Sequence, residues 1–436
     1  MPRGRPARGR ERPARGEQGH VPSTAPDTTR RSRRPRPSSG GSGFAPEAVL
    51  SIAILMLVCI GVVMVYSASS ASALLSDENP SGMLMRQGAF ALLALIAFLV
   101  FARLRPEVLF RLAKPALLVS FGLLVVVLMP GFGIEANGAR SWIGLGPVQM
   151  QPSELAKLAL IIWLAAYLAR SSGRLDGWDA MKQPLIILAA LGALLVAEPD
   201  LGTTLVIMAT AFVMLAIAGV AGRILLTLAA AAAVLTALAI AVAPYRMARF
   251  TSFLDPWSDP EGTGFQVAQA QLALGSGGVG GVGLGNGLQK VNYLPEAHTD
   301  MIMATIGEEM GLIGVFGVIA LIGVVIWSGY RIALAAPDLR LRLLAGGLVS
   351  LISIQAIVNL GAVLGVLPVT GVPLPFVSYG GSSLVVLTAA SGILVGISRR
   401  SRTKAPSLSV VPGRPAARGD RRGRDGGSHH AGARAG

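Results

Sequence analysis

Residues 202–243 read GTTLVIMATAFVMLAIAGVAGRILLTLAAAAAVLTALAIAVA, a stretch in which Arg223 is the single charged residue. About 20 apolar residues suffice to cross the hydrocarbon core of a bilayer, so the run is twice too long for one crossing. It divides at Gly219–Arg223, where two glycines and an arginine interrupt the apolar pattern. Two antiparallel crossings, 202–220 and 223–243, are therefore expected. The same reading outward gives spans at 48–67, 88–103, 114–130, 153–169, 184–197, 301–327, 341–366 and 382–398. The 184–197 run is the shortest, and whether it is a span decides the topology.

The distribution of charge settles the count. The chain is 52% hydrophobic and 14% charged, against roughly 25% charged for a soluble domain, with a mean hydropathy of +0.61. The runs are helical in length, not the alternating ten-residue segments of an outer-membrane barrel. With ten spans and both ends cytoplasmic, 32 of the 38 Lys and Arg fall inside and five outside, leaving Lys157 within a span. This is the asymmetry that the positive-inside rule demands. Nine spans would put the two Arg-rich ends on opposite faces. The fold class expected is an all-α polytopic membrane protein of about ten helices.

Three regions follow. Residues 1–46 and 399–436 are basic and rich in Pro, Gly and Ser, too poor in large apolar residues to bury a core, and are expected as disordered cytoplasmic tails. Residues 47–398 form the membrane domain. The net charge of +15 resides mostly in the tails. It is read as a solvated face beside anionic lipid or a cytoplasmic protein partner, not as nucleic-acid binding. The stretch YSASSASA at 66–73 imitates a signal-peptidase site, but the preceding apolar run is long and 46 polar residues precede it, so an uncleaved first helix is expected. Cys59 is the only cysteine, which leaves no intramolecular disulfide and no cysteine metal site.

Chemistry is sought on the outer side. Residues 131–152, GFGIEANGARSWIGLGPVQMQP, are long for a connection, and the segment 244–300 is longer still, a length unusual without a function. The middle of the latter, GSGGVGGVGLGNG, lacks the Lys-Ser/Thr ending of a P-loop. It reads as a tightly turned connector, or as backbone amides near a phosphate. Its end gathers Glu296, His298, Thr299 and Asp300 at the entry of the eighth span. Asp300 is a helix cap or a working carboxylate. Glu308 and Glu309 lie about 12–13 Å further in at 1.5 Å per residue, where buried carboxylates are paired or functional. Glu154 and Lys157, one turn apart on the fourth span, form an internal ion pair or line a polar cavity. Trp142 is an interfacial anchor or packs on a ligand. The connection GVLPVTGVPLPFVSYGGSS, 365–383, carries three prolines and reads as a re-entrant lid buried against protein.

Five stretches carry a resemblance: NGARSWIGLGPVQMQPSELAKL (137–158), EPDLGTTLV (198–206), RFTSFLDPWSDPEGTGFQ (249–266), GLGNGLQKVNYLPEAHTDMIMATIGEEMGLIG (283–314) and LPVTGVPLPFVSYGGSS (367–383). In these the chain resembles the SEDS family of membrane proteins for shape, elongation, division and sporulation, nearer its division than its elongation member. Many relatives carry Arg directly before the tryptophan of the first outer loop; here Ser141 stands there and Arg140 one earlier. The Arg- and Ala-rich composition points to a high-GC bacterium such as an actinobacterium.

The resemblance implies polymerisation of lipid II, a disaccharide-pentapeptide on undecaprenyl diphosphate, into glycan strands outside the cytoplasmic membrane at the division septum. Inverting displacement at the anomeric carbon needs one base and positive charge near the departing diphosphate. Asp300 matches the family's essential aspartate. Arg140, Lys157, Arg246, Arg249 and Lys290 are the cations available for substrate, with Trp142, Glu296 and His298 around the cavity and Glu154, Glu308 and Glu309 as cavity or structural charges. No dedicated metal cage is expected, although a divalent cation, Mg or Mn, could share the work. The implied partners are a class B penicillin-binding protein and other divisome proteins. The alternatives are an elongation polymerase, a lipid II flippase built from the same helices, and a divisome scaffold.

Overall fold

The computed structural model describes residues 45–75, 81–136, 139–145, 148–291 and 293–404. The tail segments 1–44 and 405–436, with the disorder expected of them, lie outside the described residues. Each of the ten expected spans coincides with a helix: α1 (Pro46–Leu75), α2 (Ser81–Arg103), α3 (Pro106–Leu128), α4 (Pro152–Arg170), α5 (Trp178–Ala197), α6 (Leu201–Ile217), α7 (Gly222–Val242), α10 (Ile302–Leu334), α11 (Leu339–Val363) and α12 (Gly381–Lys404). Nine are long and apolar enough to cross a membrane, and α6 is a shorter apolar helix. The protein is a multi-pass membrane protein. The 202–243 run breaks where its sequence breaks, between Ile217 and Gly222, and α1 stays helical through Leu75.

Burial sorts the bundle into a centre and a rim. The apolar windows of α4 and α12 are 83% buried and that of α11 is 72%, whereas those of α2 and α7 are 11% and 6% buried. α7 turns Leu226, Val234, Leu235, Leu238 and Val242 outward, a surface suited to lipid rather than water. Lipid is as apolar as leucine, so helices associate by close packing instead of hydrophobic segregation. On α12, a Cβ at Gly392 would come within 2.4 Å of the Phe98 carbonyl of α2. Glycine there lets the two backbones touch.

To the helical bundle the structure adds one small sheet. The segment between α3 and α4 folds as an antiparallel meander of β1 (Gly133–Ala136), β2 (Ala139–Leu145) and β3 (Val148–Met150), in the order β1-β2-β3. The segment 244–300, expected as loop, holds two helices, α8 (Pro244–Leu254) and α9 (Phe265–Ser276). α9 buries Val267, Ala268, Ala270 and Ala273. That apolar face explains why the long connection folds down onto the bundle instead of standing off it.

The proline-rich lid between α11 and α12 is tied to α11 by side-chain amides. Asn359 Nδ2 donates to the carbonyls of Val372 (2.9 Å) and Asp300 (2.8 Å), and Gln355 Nε2 donates to Pro373 O at 3.1 Å. Ser378 Oγ accepts from the amide of Leu374 at 2.8 Å. These bonds satisfy irregular backbone that would otherwise be buried unpaired.

Candidate functional site at the start of α10

Asp300 lies two residues before α10, at the same end of the bundle as the lid and the sheet, and is 8% exposed. Glu296, with φ 56°, makes a left-handed turn. Its carbonyl accepts from the amides of Thr299 (3.1 Å) and Met301 (3.2 Å), which curls the chain so that three side chains meet. Thr299 Oγ1 donates to the Glu296 carboxylate and lies 3.4 Å from Asp300 Oδ1. The lid closes over this turn: the Tyr379 amide donates to His298 O at 2.9 Å, and the two rings lie 5.6 Å apart.

The electrostatics follow from burial. Exclusion of water, reinforced by the Glu296 carboxylate, pushes the Asp300 carboxyl up to about 7; hydrogen bonding and the Arg249 guanidinium pull the other way. Burial holds His298 below the usual imidazole range against the opposing charge of Glu296. A carboxyl in this range is half-ionised near neutral pH and is a far stronger base than a surface aspartate. The cap position of α10 is occupied by Met301, not Asp300, and no side chain caps it.

Below the apex, α10 is broken at Gly311 (φ 63°, ψ −162°). The glycine-rich segment after α9 is spliced into the break. Val282 N and Gly283 N donate to the carbonyls of Glu308 and Glu309, each at 3.0 Å, while Leu312 N and Ile313 N donate to Gly278 O and Val279 O. The segment is therefore a re-entrant connector, and two of its amides are spent on α10 carbonyls. Glu308 Oε1 accepts from Leu288 N (2.7 Å) and Gln289 N (3.1 Å). Glu309 Oε1 pairs with Lys290 Nζ at 2.6 Å, with side-chain exposures of 0% and 1%.

A second polar cluster joins the sheet to α4, α5 and α6. Lys157 Nζ lies 2.7 Å from Glu154 Oε1, both nearly fully buried. Asp200 caps α6 through Thr203 N (2.9 Å) and accepts from Gln151 Nε2 (3.1 Å). Burial raises the Asp200 carboxyl, opposed by its own hydrogen bonds and by Lys157. Glu198 is 0% exposed, and neither of its carboxylate oxygens has a hydrogen-bond partner; burial, then Asp200, pushes it to about 8. Ser141 of β2 anchors the sheet here, its Oγ 3.4 Å from Glu198 O.

Of the residues singled out by sequence, Asp300, Glu296, His298 and Arg249 come together. Lys290, expected among the cations facing the substrate, is instead buried in an ion pair with Glu309, because its segment packs into the bundle; of the two readings open for Lys157, the internal ion pair with Glu154 is the one found. Arg140 is half-exposed and pairs with Glu135 across the hairpin at 3.3 Å, and Trp142 stands opposite Ile134 in the same ladder. Arg246 and Arg249 lie one turn apart on α8, and Arg246 Nη1 donates to Ala239 O at 3.2 Å. Sequence reasoning missed Glu198, Asp200, Gln151 and Asn359. Two carboxylates flanking a proline between apolar runs were the available signal for the first pair.

A ten-helix membrane bundle with a broken helix, a re-entrant connector and a buried, easily protonated aspartate under a lid defines a polytopic membrane protein with a polar site sunk into one face. The chain belongs to the cell cycle protein family of FtsW, RodA and SpoVE, whose model matches residues 48–403. It is 41% identical to stage V sporulation protein E of Bacillus subtilis over 82% of this chain and 98% of that protein. It is 43% identical to the probable peptidoglycan glycosyltransferase FtsW of Nitrosococcus halophilus over 84% of this chain and 96% of that one. Among solved structures, it matches a chain of a peptidoglycan synthase complex that coordinates polymerization and crosslinking, with TM-score 0.67 and 34% identity, covering 81% of this chain and 97% of that one. The rod shape determining protein RodA of Thermus thermophilus matches with TM-score 0.59 and 33% identity, covering 81% and 96%.

Proposed function

We propose that this chain is an inverting peptidoglycan glycosyltransferase that polymerises lipid II on the outer face of the cytoplasmic membrane during septal wall synthesis. The observation that carries the mechanism is Asp300, buried yet poised near neutral pH. Asp300 takes the proton from the 4-hydroxyl of the acceptor sugar as that oxygen attacks the donor's anomeric carbon from the face opposite the diphosphate. The bond to diphosphate breaks and the configuration inverts. A base matched to the working pH contributes most to such a step. Diphosphate leaves without a second carboxylic acid, provided that positive charge meets it.

Arg249 and Arg246 supply that charge from α8. The other edge of α8 carries Met247 and Phe250, which with Ala232, Ala233, Thr236 and Ile240 of α7 line an apolar cavity of about 490 Å³. A cationic edge beside an apolar cleft suits an amphiphile with an anionic head and a hydrocarbon chain. Magnesium or manganese is the remaining candidate for charge neutralisation. Among the described residues no three His, Cys, Asp or Glu groups converge on a cation position. The described side chains do not form a cage for it, and in this reading the arginines carry the charge.

The division role is supported by the relatives named FtsW at 40–43% identity. The proposed partner is a class B penicillin-binding protein, consistent with the coupling of polymerization and crosslinking in the matched complex. Other divisome proteins belong to the same reading, as does a cytoplasmic partner on the two basic tails. The arginine and lysine distribution supports a reading with both termini in the cytoplasm.

Proteoliposomes loaded with lipid II separate this reading from transport. Asp300→Asn is expected to leave any lipid II flipping unchanged and to abolish glycan synthesis. Flipping by the wild type that disappears in Asp300→Asn, with no polymer from either, would replace the polymerase by a transporter.

A further inference from the structure

The Lys290–Glu309 pair does something that the reaction does not require of it. Both side chains are sealed from solvent, and such a pair gives little net stability over well-packed apolar residues. Its placement is informative. The two residues are nineteen apart, and Asp300 falls midway between them, ten residues after Lys290 and nine before Glu309. The pair thus closes the base of a hairpin whose apex is Asp300.

The base is held at several points. Lys290 Nζ donates to Glu309 Oε1 (2.6 Å), Ser67 Oγ (3.1 Å) and Gly285 O (2.9 Å), and Ser67 Oγ donates to both Glu309 oxygens (2.8 and 2.7 Å). Ser67 belongs to α1, so the hairpin is fixed to a second helix. Next to it Glu308 grips the amides of Leu288 and Gln289. The short helical half 302–310 is cut from the rest of α10 at Gly311, so its register rests on this junction rather than on a continuous helix.

We infer that Lys290, Glu309 and Ser67 form a positioning staple that sets the height and orientation of the Asp300 apex relative to the rest of the bundle. The inference rests on the reading of Asp300 as the catalytic base. Charge makes the staple selective: apolar side chains would fill the space equally well but would not define one register. A misplacement of about 1 Å at a reacting group can cost about a hundredfold in rate, so a staple far from the substrate has leverage.

The test compares wild type, Asp300→Asn, the double variant Lys290→Met/Glu309→Met and the milder Ser67→Ala. Each is purified with its penicillin-binding protein and supplied with lipid II. The double variant is expected to lose at least about tenfold in kcat with KM for lipid II within twofold of wild type. Without substrate, its amide hydrogen exchange should rise in peptides covering 293–301 but not in α11 or α12. Ser67→Ala should shift both readouts in the same direction by less. Unchanged exchange at the apex overturns the staple, as does unchanged kcat, and exchange rising throughout the bundle reduces it to a general stabiliser. If the double variant fails to fold, Ser67→Ala decides by the same two readouts. A wild type that makes no polymer counts against the proposed function, while the exchange data still decide whether the pair positions the apex.

Discussion

Replacing Glu296 by Gln and Arg249 by Met should move the acid limb of the pH–rate profile in opposite directions. Asp300 must be ionised to accept a proton, so activity should rise as pH passes through about 7, where an unperturbed aspartate would give a limb near 3.8. The gap of about 3 units corresponds to about 4 kcal/mol, at 1.36 kcal/mol per unit, and burial supplies the larger part. Glu296 supplies the next. Both carboxylates lie against Thr299 Oγ1 and so are no more than about 6 Å apart. At that distance an effective dielectric of 20–40 gives about 1.4–2.8 kcal/mol of repulsion, or about one to two pH units. Glu296→Gln should therefore lower the limb by about one to two units and reduce the plateau, because the base is weaker. Arg249→Met should raise the limb, since its charge favours the ionised form. Initial rates of glycan formation between pH 5 and 9, with the penicillin-binding partner present, read both. A limb that stays put in both variants, or that lies near 4 in the wild type, would refute the buried-base reasoning.

Three other perturbations test the scaffold. Gly311→Ala places a Cβ 2.4 Å from Gly281 N in a backbone conformation reserved for glycine, so it should cost at least about 2–3 kcal/mol, seen as a lowered melting temperature in detergent. Glu198→Gln should flatten the stability profile. The wild-type carboxyl, raised from 4.5 to about 8 in the fold, contributes stability that is full below pH 4.5 and lost as pH rises through 8, about 5 kcal/mol in all. The melting temperatures of wild type and variant should then diverge between pH 5 and 9, with the variant losing less. Asn359→Leu removes the amide that holds both Asp300 O and Val372 O. It should cost about 1–3 kcal/mol in stability and lower glycan turnover, checked by melting and by initial rates.

The membrane architecture was legible because hydropathy and length alone define a crossing, and the Gly219–Arg223 interruption marked the one ambiguous join. Other features depended on tertiary packing. α9 is too short to register as a span, and its small apolar face is meaningful only against α10. The break at Gly311 left no trace, since glycine is common in intact membrane helices. The same blindness misplaced Lys290. Read along the chain, Lys290 belongs to an outer loop, whereas the splice into α10 carries it inward to Glu309. Arg140 was drawn to the site by its motif, but hairpin register sets it beside Glu135. Asp300, Glu296 and His298 were found because charge is scarce in this chain and theirs is clustered. Glu198 and Asp200 sat within a recognised motif without an assigned role, and only burial reveals how unusual their carboxyls are.

The most direct measurement is a glycan gel from purified chain, penicillin-binding partner and lipid II, comparing wild type with Asp300→Ala. Polymer from the wild type alone is the predicted result and identifies a glycosyltransferase that uses Asp300. Polymer of equal yield from Asp300→Ala would contradict it, moving the base, and the site built around it, elsewhere in the molecule.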